Sequence, residues 1–104
     1  MAMIDLPPDF KEFLRLLSDR RVEYLLIGGY AVAYHGYPRA TADIDIWIEI
    51  ATSISGVDFQ DCWSARIVDV LDGVEVNIID LKHLKINKQA AGRHKDLDDL
   101  ENLP

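Results

Sequence analysis

Cysteine is nearly missing from this chain of 104 residues: Cys62 is the only one, so no disulfide can close within it. That usage suits a reducing cytoplasm, although a cysteine-poor secreted chain would show the same count. Standing beside Trp63, Cys62 reads as core filler rather than as a reactive thiol. Long apolar runs are missing too. No segment approaches the ~20 residues of a membrane span, and the opening MAMIDLPPDF has no basic region leading into an apolar stretch. A soluble, cytoplasmic protein without a membrane partner is the expectation. Positive charge is in deficit, with 11 Lys and Arg against 18 Asp and Glu and a formal net charge of −7. Such a surface does not bind nucleic acid non-specifically, but it leaves room for a local basic patch that holds a nucleotide. Repeats and low-complexity tracts are also lacking. What remains is 49% hydrophobic residues in a length that suits one domain, 1–104, with a single small core.

Taken in order, the chain alternates helical and extended patterns. Pro7-Pro8-Asp9 suits a helix start, and Phe10, Phe13, Leu14 and Leu17 follow i, i+3, i+4, i+7, so an amphipathic helix runs to about Ser18–Arg21. Glu23–Ile27 is short, apolar and bounded by Gly28-Gly29, which predicts a strand buried on both faces. Tyr30–His35 makes a short helix that Gly36 stops, with His35 packing at its end. After the loop Tyr37-Pro38-Arg39-Ala40-Thr41, Ala42–Ile50 reads as a second strand. There Ile44, Ile46, Ile48 and Ile50 take the core face, while Asp43, Asp45, Trp47 and Glu49 take the opposite, acidic face. Ala51–Gly56 is a connection, and Val57–Ser64 holds a short helix or turn. Asp72-Gly73 between two apolar runs, Arg66–Leu71 and Val74–Ile79, predicts an antiparallel hairpin. Asp80 caps a helix through about Gln89 in which Lys82, Lys85 and Lys88 face out, and Gly92 ends it. A last helix, Lys95 to about Leu103, is expected to turn Leu97, Leu100 and Leu103 inward and Asp96, Asp98, Asp99 and Glu101 outward.

The stretch from Tyr24 to Glu49 carries the chemistry. Backbone amides at a glycine-lined helix start can hold phosphate oxygens, because no side chain keeps the phosphate away. A glycine pair alone is often only a packing turn, and two acidic residues on one strand are often only a solvated edge. Asp43 and Asp45, one residue apart on one strand face, stand roughly 7 Å apart along the backbone, within reach of a shared divalent cation. Together the two features outline a nucleoside triphosphate site in which glycines grip phosphates and aspartates hold Mg²⁺.

The segment Gly28-Gly29, thirteen residues, then Asp43-Ile44-Asp45 resembles the signature of the DNA polymerase β-type nucleotidyltransferase superfamily. The wider phrase IGGYAVAYHGYPRATADIDIWIE is similar to small bacterial members related to the toxin half of AbiE-type toxin-antitoxin systems. The closing phrase from Asn87 to Glu101 resembles the C-terminal part of the same group. The resemblance implies an α/β (α+β) fold, a mixed β-sheet flanked by helices in the order α-β-α-β-(short helix)-β-β-α-α. It implies Mg²⁺-dependent transfer of a nucleoside monophosphate from a nucleoside triphosphate to a hydroxyl, on a protein or a tRNA. Gly28 and Gly29 would cradle the β and γ phosphates, and Asp43 and Asp45 would ligate two Mg²⁺ ions. Arg39, Lys88 and Lys95 become candidates for phosphate or acceptor contacts, although surface cations are more often simply solvated.

The departure from the family lies in the middle. Relatives place several tens of residues, including a strand with a third carboxylate, where here only six separate Asp45 from Thr52. Glu49 stands where that strand would have ended. Four residues along a strand is about 13 Å, too far for Glu49 to share one metal ion with Asp45 in a single chain. Losing a strand also uncovers an edge, and two copies of strand 43–50 paired antiparallel would set Glu49 of one opposite Asp43 of the other. A homodimer is therefore expected. The alternative is a catalytically impaired nucleotide-binding or protein-interaction module of a toxin-antitoxin-like system.

Overall fold

The structure is a computed structural model, and it describes residues 4–49 and 54–104. Its elements are α1 (Pro8–Asp19), β1 (Tyr24–Ile27), α2 (Gly28–Tyr34), β2 (Asp45–Ile48), α3 (Phe59–Ser64), β3 (Ile67–Leu71), β4 (Val74–Ile78), α4 (Leu81–Ala91) and α5 (His94–Asn102). Four strands form one mixed sheet in the order β2-β1-β4-β3. β1 is antiparallel to β2 and parallel to β4, and β3 and β4 make the expected hairpin. Helices flank this sheet, giving an α+β fold. As a central strand β1 is buried through Tyr24, Leu25 and Leu26, which join Leu14, Val32, Val76, Ile78 and Leu84 in the core.

Turn chemistry sets the connections. Arg21 ends α1 in the left-handed region at φ 54°, with its N–H donated to Ser18 and the N–H of Val22 donated to Leu17. Asp72 at φ 49° and Gly73 at φ 80° supply the two consecutive positive φ values of a tight hairpin turn. The Asp72 carboxylate also accepts from the Leu6 N–H at 2.8 Å and pairs with Lys11 at 3.0 Å, tying the hairpin tip to the N-terminal segment. Asp80 caps α4 by accepting from the His83 N–H, and Gly92 closes that helix at φ 64°.

Expectations for three parts of the chain are corrected: β2, α1, and the pair α4 and α5. β2 is shorter than Ala42–Ile50: Asp43 lies in a bend before it, and Ile50 falls outside the described residues, as do residues 51–53 of the expected connection. Its alternation does not separate a core face from an acidic one. Trp47, expected beside the aspartates in the open, is 3% exposed and meets Phe59 of α3 edge-on at 5.0 Å, while Ile44, Ile46 and Ile48 are only half-buried. β2 meets α2 and, through Phe59, α3, so the side of the strand that carries Trp47 is covered at that residue. On α1, Leu14 and Leu17 are buried as expected but Phe13 is exposed.

The third correction concerns α4 and α5. Lys88, expected to face out, is 3% exposed, and Asp96 and Asp99, expected outward, are 1% and 0% exposed. Leu97, expected inward, is exposed instead. Helical geometry explains the inversion. Leu81, Leu84 and Lys88 fall at i, i+3, i+7, and Asp96, Asp99, Leu100 and Leu103 at i, i+3, i+4, i+7, whereas Leu97, Leu100 and Leu103 drift off one face at i, i+3, i+6. The charged residues sit on the buried stripes because they satisfy one another.

Candidate functional site

Strand register brings the first two site residues together. Pairing of β2 with β1 sets Asp45 opposite Ile27, the residue before Gly28. Gly28 opens α2 at φ 67°, and a Cβ on it would overlap the Asp45 carboxylate, so glycine is required there by backbone conformation and by space. Gly29 is pressed against the following loop: a Cβ would stand 2.8 Å from Thr41 Cβ and 3.4 Å from Arg39 Nη1. Both glycines thus permit a close approach between the β1–α2 turn and the chain that leads into β2.

Beside this turn lies an open cleft of about 730 Å³. Gly28 contributes to it from the start of α2 and Asp45 from β2, and Lys88, Arg93 and Lys95 from α4, the α4–α5 junction and α5. Isoleucines make up its apolar wall. Among the described residues Asp45 and Lys95 form no ion pair, so opposite charges stand uncommitted on one cleft. Arg93 is held by Asp96, whose carboxylate raises the guanidinium above its ordinary value, and Asp45 adds to that rise from across the cleft.

Behind the cleft, cations from three parts of the chain converge on two buried carboxylates. Lys88 Nζ lies 3.0 Å from Asp96 Oδ1 and 3.0 Å from Asp99 Oδ2. Arg39 donates through Nε to Asp99 Oδ1 at 2.7 Å and through Nη2 to Oδ2 at 3.0 Å, a two-point fork. Arg93 donates through Nε to Asp96 Oδ2 at 2.7 Å, and the same oxygen accepts the Arg93 backbone N–H, which starts α5. Burial pushes the Asp99 carboxyl up, but the hydrogen bonds from Arg39 and Lys88 outweigh it and hold the group below the ordinary carboxylate range. Asp96 follows the same balance, with Arg93 and Lys88 against burial. The pairing in turn raises Arg39 above its ordinary value, chiefly through the Asp99 hydrogen bond.

The candidate residues therefore divide. Gly28, Asp45, Lys88 and Lys95 share the cleft. Gly29 is buried behind it, and Asp43 lies exposed in the bend before β2, its carbonyl accepting from Thr41 Oγ1 at 3.3 Å. Arg39 borders a separate hollow next to Tyr30 and Thr41 and is spent on Asp99. Glu49 is at the far end of β2, where its carboxylate accepts from Gln60 Nε2 at 2.9 Å and it borders a third hollow with Arg21. His35 holds a structural post, with Nε2 2.7 Å from the Ile79 carbonyl and the ring edge-on to Tyr34. Sequence reasoning missed Arg93, Asp96 and Asp99, although the i, i+3, i+4, i+7 spacing of 96, 99, 100 and 103 carried the signal.

For a metal ion the donors are oxygen only. No group of three or more His, Cys, Asp or Glu among the described residues is arranged to hold one. Asp45 on the cleft and Asp43 in the bend before β2 are both exposed, and carboxylates are the donor type that holds Mg²⁺ together with substrate phosphates and water. Comparison with family models, curated proteins and solved structures finds no match to this chain.

Proposed function

We propose that the chain is a nucleotidyltransferase-like protein whose cleft takes a nucleoside triphosphate and passes its nucleoside monophosphate to a hydroxyl. The observation that carries this reading is the meeting, in one cleft, of the Gly28 backbone and the uncommitted Asp45 with Arg93 and Lys95. Asp43 and Asp45 would hold Mg²⁺, which when bound supplies charge neutralisation to the phosphates. Lys95 and Arg93 attract the triphosphate into the cleft and orient it there, within a chain that otherwise repels anions. Gly28 lets the Asp45 carboxylate close against the start of α2 where any side chain would stand in the way, which holds that carboxylate on the cleft. In the transfer the acceptor oxygen bonds to the α-phosphorus, the bond from that phosphorus to the bridging oxygen breaks, pyrophosphate leaves, and the acceptor proton passes to solvent.

Two observations favour the alternative, an impaired nucleotide-binding or protein-interaction module of a toxin-antitoxin-like system. Glu49 is remote from the cleft, and the charge of Lys88 is consumed by two aspartates. A second copy is the proposed partner: β2 is an edge of the sheet, and pairing along it would bring a second Glu49 towards Asp43. Calorimetric titration with ATP, GTP, CTP and UTP, with and without Mg²⁺, combined with a pyrophosphate-release assay separates the readings. Release that is lost in Asp45→Asn supports the transferase, binding without release supports the module, and absence of both overturns each nucleotide reading.

A further inference from the structure

We infer that Asp99, buried on α5 outside the cleft, is a positioning residue that sets the glycine turn and the Asp43 bend of the nucleotide site through Arg39. The inference rests on the nucleotide reading for its functional consequence and on the contacts alone for its structural one. Asp99 grips Arg39 at two points, which fixes the guanidinium plane as well as its position. From that anchor the chain runs two residues to Thr41, whose Oγ1 donates to the Asp43 carbonyl and whose side chain abuts Gly29. Arg39 Nη1 approaches the same glycine and donates to the Ala40 carbonyl at 3.4 Å. One carboxylate on the last helix thus holds the segment between the two halves of the site's motif.

Stability alone does not account for a charge at this position. Apolar side chains at 88, 96 and 99 together would continue the stripe of Leu100 and Leu103, and replacing a whole buried ion cluster by well-packed apolar residues is commonly neutral or stabilising. What an apolar residue could not do is orient Arg39. Lys88 reaches both Asp99 and Asp96, so with Arg39 and Arg93 every oxygen of the two buried carboxylates has a cationic partner.

The test compares wild type, Asp99→Asn, Arg39→Lys and, as a destabilised control away from the cleft, Val76→Ala. Backbone amide NMR shifts are recorded for Gly29, Thr41 and Asp43, and Mg²⁺ with each of the four nucleoside triphosphates is titrated calorimetrically. Expected are shifted Gly29, Thr41 and Asp43 amides and an affinity loss of about tenfold or more in both site variants, with neither change in Val76→Ala. Should Asp99→Asn not fold, Arg39→Lys decides, since it keeps the charge and loses only the fork. Unmoved amides in the folded variants overturn the inference, and so does wild-type affinity in them. If wild type itself binds no triphosphate, the functional reading is what fails, and the amide shifts still decide whether Asp99 sets the turn.

Discussion

At the level of single residues, two left-handed positions without glycine behave differently. Among the described residues the Arg21 side chain makes no hydrogen bond or ion pair to offset φ 54°, whereas Asp72 at φ 49° gains the Leu6 and Lys11 interactions. Arg21→Gly is expected to stabilise the protein by about 0.5–1 kcal/mol, read as a higher urea midpoint, because glycine removes the left-handed penalty at a helix end. Asp72→Gly should instead destabilise it, by roughly 1 kcal/mol, through the lost hydrogen bond and ion pair. Cys62 is fully buried, and burial pushes its thiol up to about 11. It should therefore stay unmodified by maleimide in the native state and react only on unfolding. Its core role was legible from its place beside Trp63. The burial of Lys88 was not, because a lysine is read as exposed unless its counter-ions, eight and eleven positions further on, are known to fold back upon it.

At the level of elements, turn residues and apolar periodicity gave the helices, the hairpin and their order within a few residues. The charged stripes of α4 and α5 were read backwards, since a hydrophobicity pattern assigns aspartate and lysine to solvent and has no means of pairing them across a loop. β2 was misread for a related reason: alternation predicts one wet face only when one face is left uncovered, and α3 covers Trp47. The buried cluster makes stability depend on acid. Asp96 and Asp99 titrate lower folded than unfolded, so their contribution is complete above the ordinary carboxylate value of 3.8 and is lost as pH falls below it through the depressed folded-state values. Thermal unfolding from neutral pH down should show wild type losing its midpoint more steeply below about pH 4 than Asp99→Asn does. Lys88→Met removes the cation that Asp96 and Asp99 share but leaves Arg93 on one and Arg39 on the other, and should cost about 1.5–3 kcal/mol in denaturant unfolding.

For the whole molecule, the fold leaves both β2 and β3 as sheet edges, and β2 has only four residues. Light scattering at micromolar concentration is expected to give a dimer through β2, and a monomer there would remove the trans placement of Glu49. Legibility of the site followed chain distance. Gly28 and Asp45 are brought together by the pairing of β1 with β2 across α2 and the loop after it, whereas Asp99, sixty residues from Arg39, could be found only in three dimensions. The net charge of −7 makes the Arg93 and Lys95 wall a local exception to the surface around it. Whether that exception receives triphosphates is settled most directly by calorimetric titration of the wild-type protein with ATP, GTP, CTP and UTP in Mg²⁺. The result expected is saturable binding of at least one of them that disappears without Mg²⁺ and in Asp45→Asn. Absence of binding by all four, or binding that Asp45→Asn leaves intact, would contradict it.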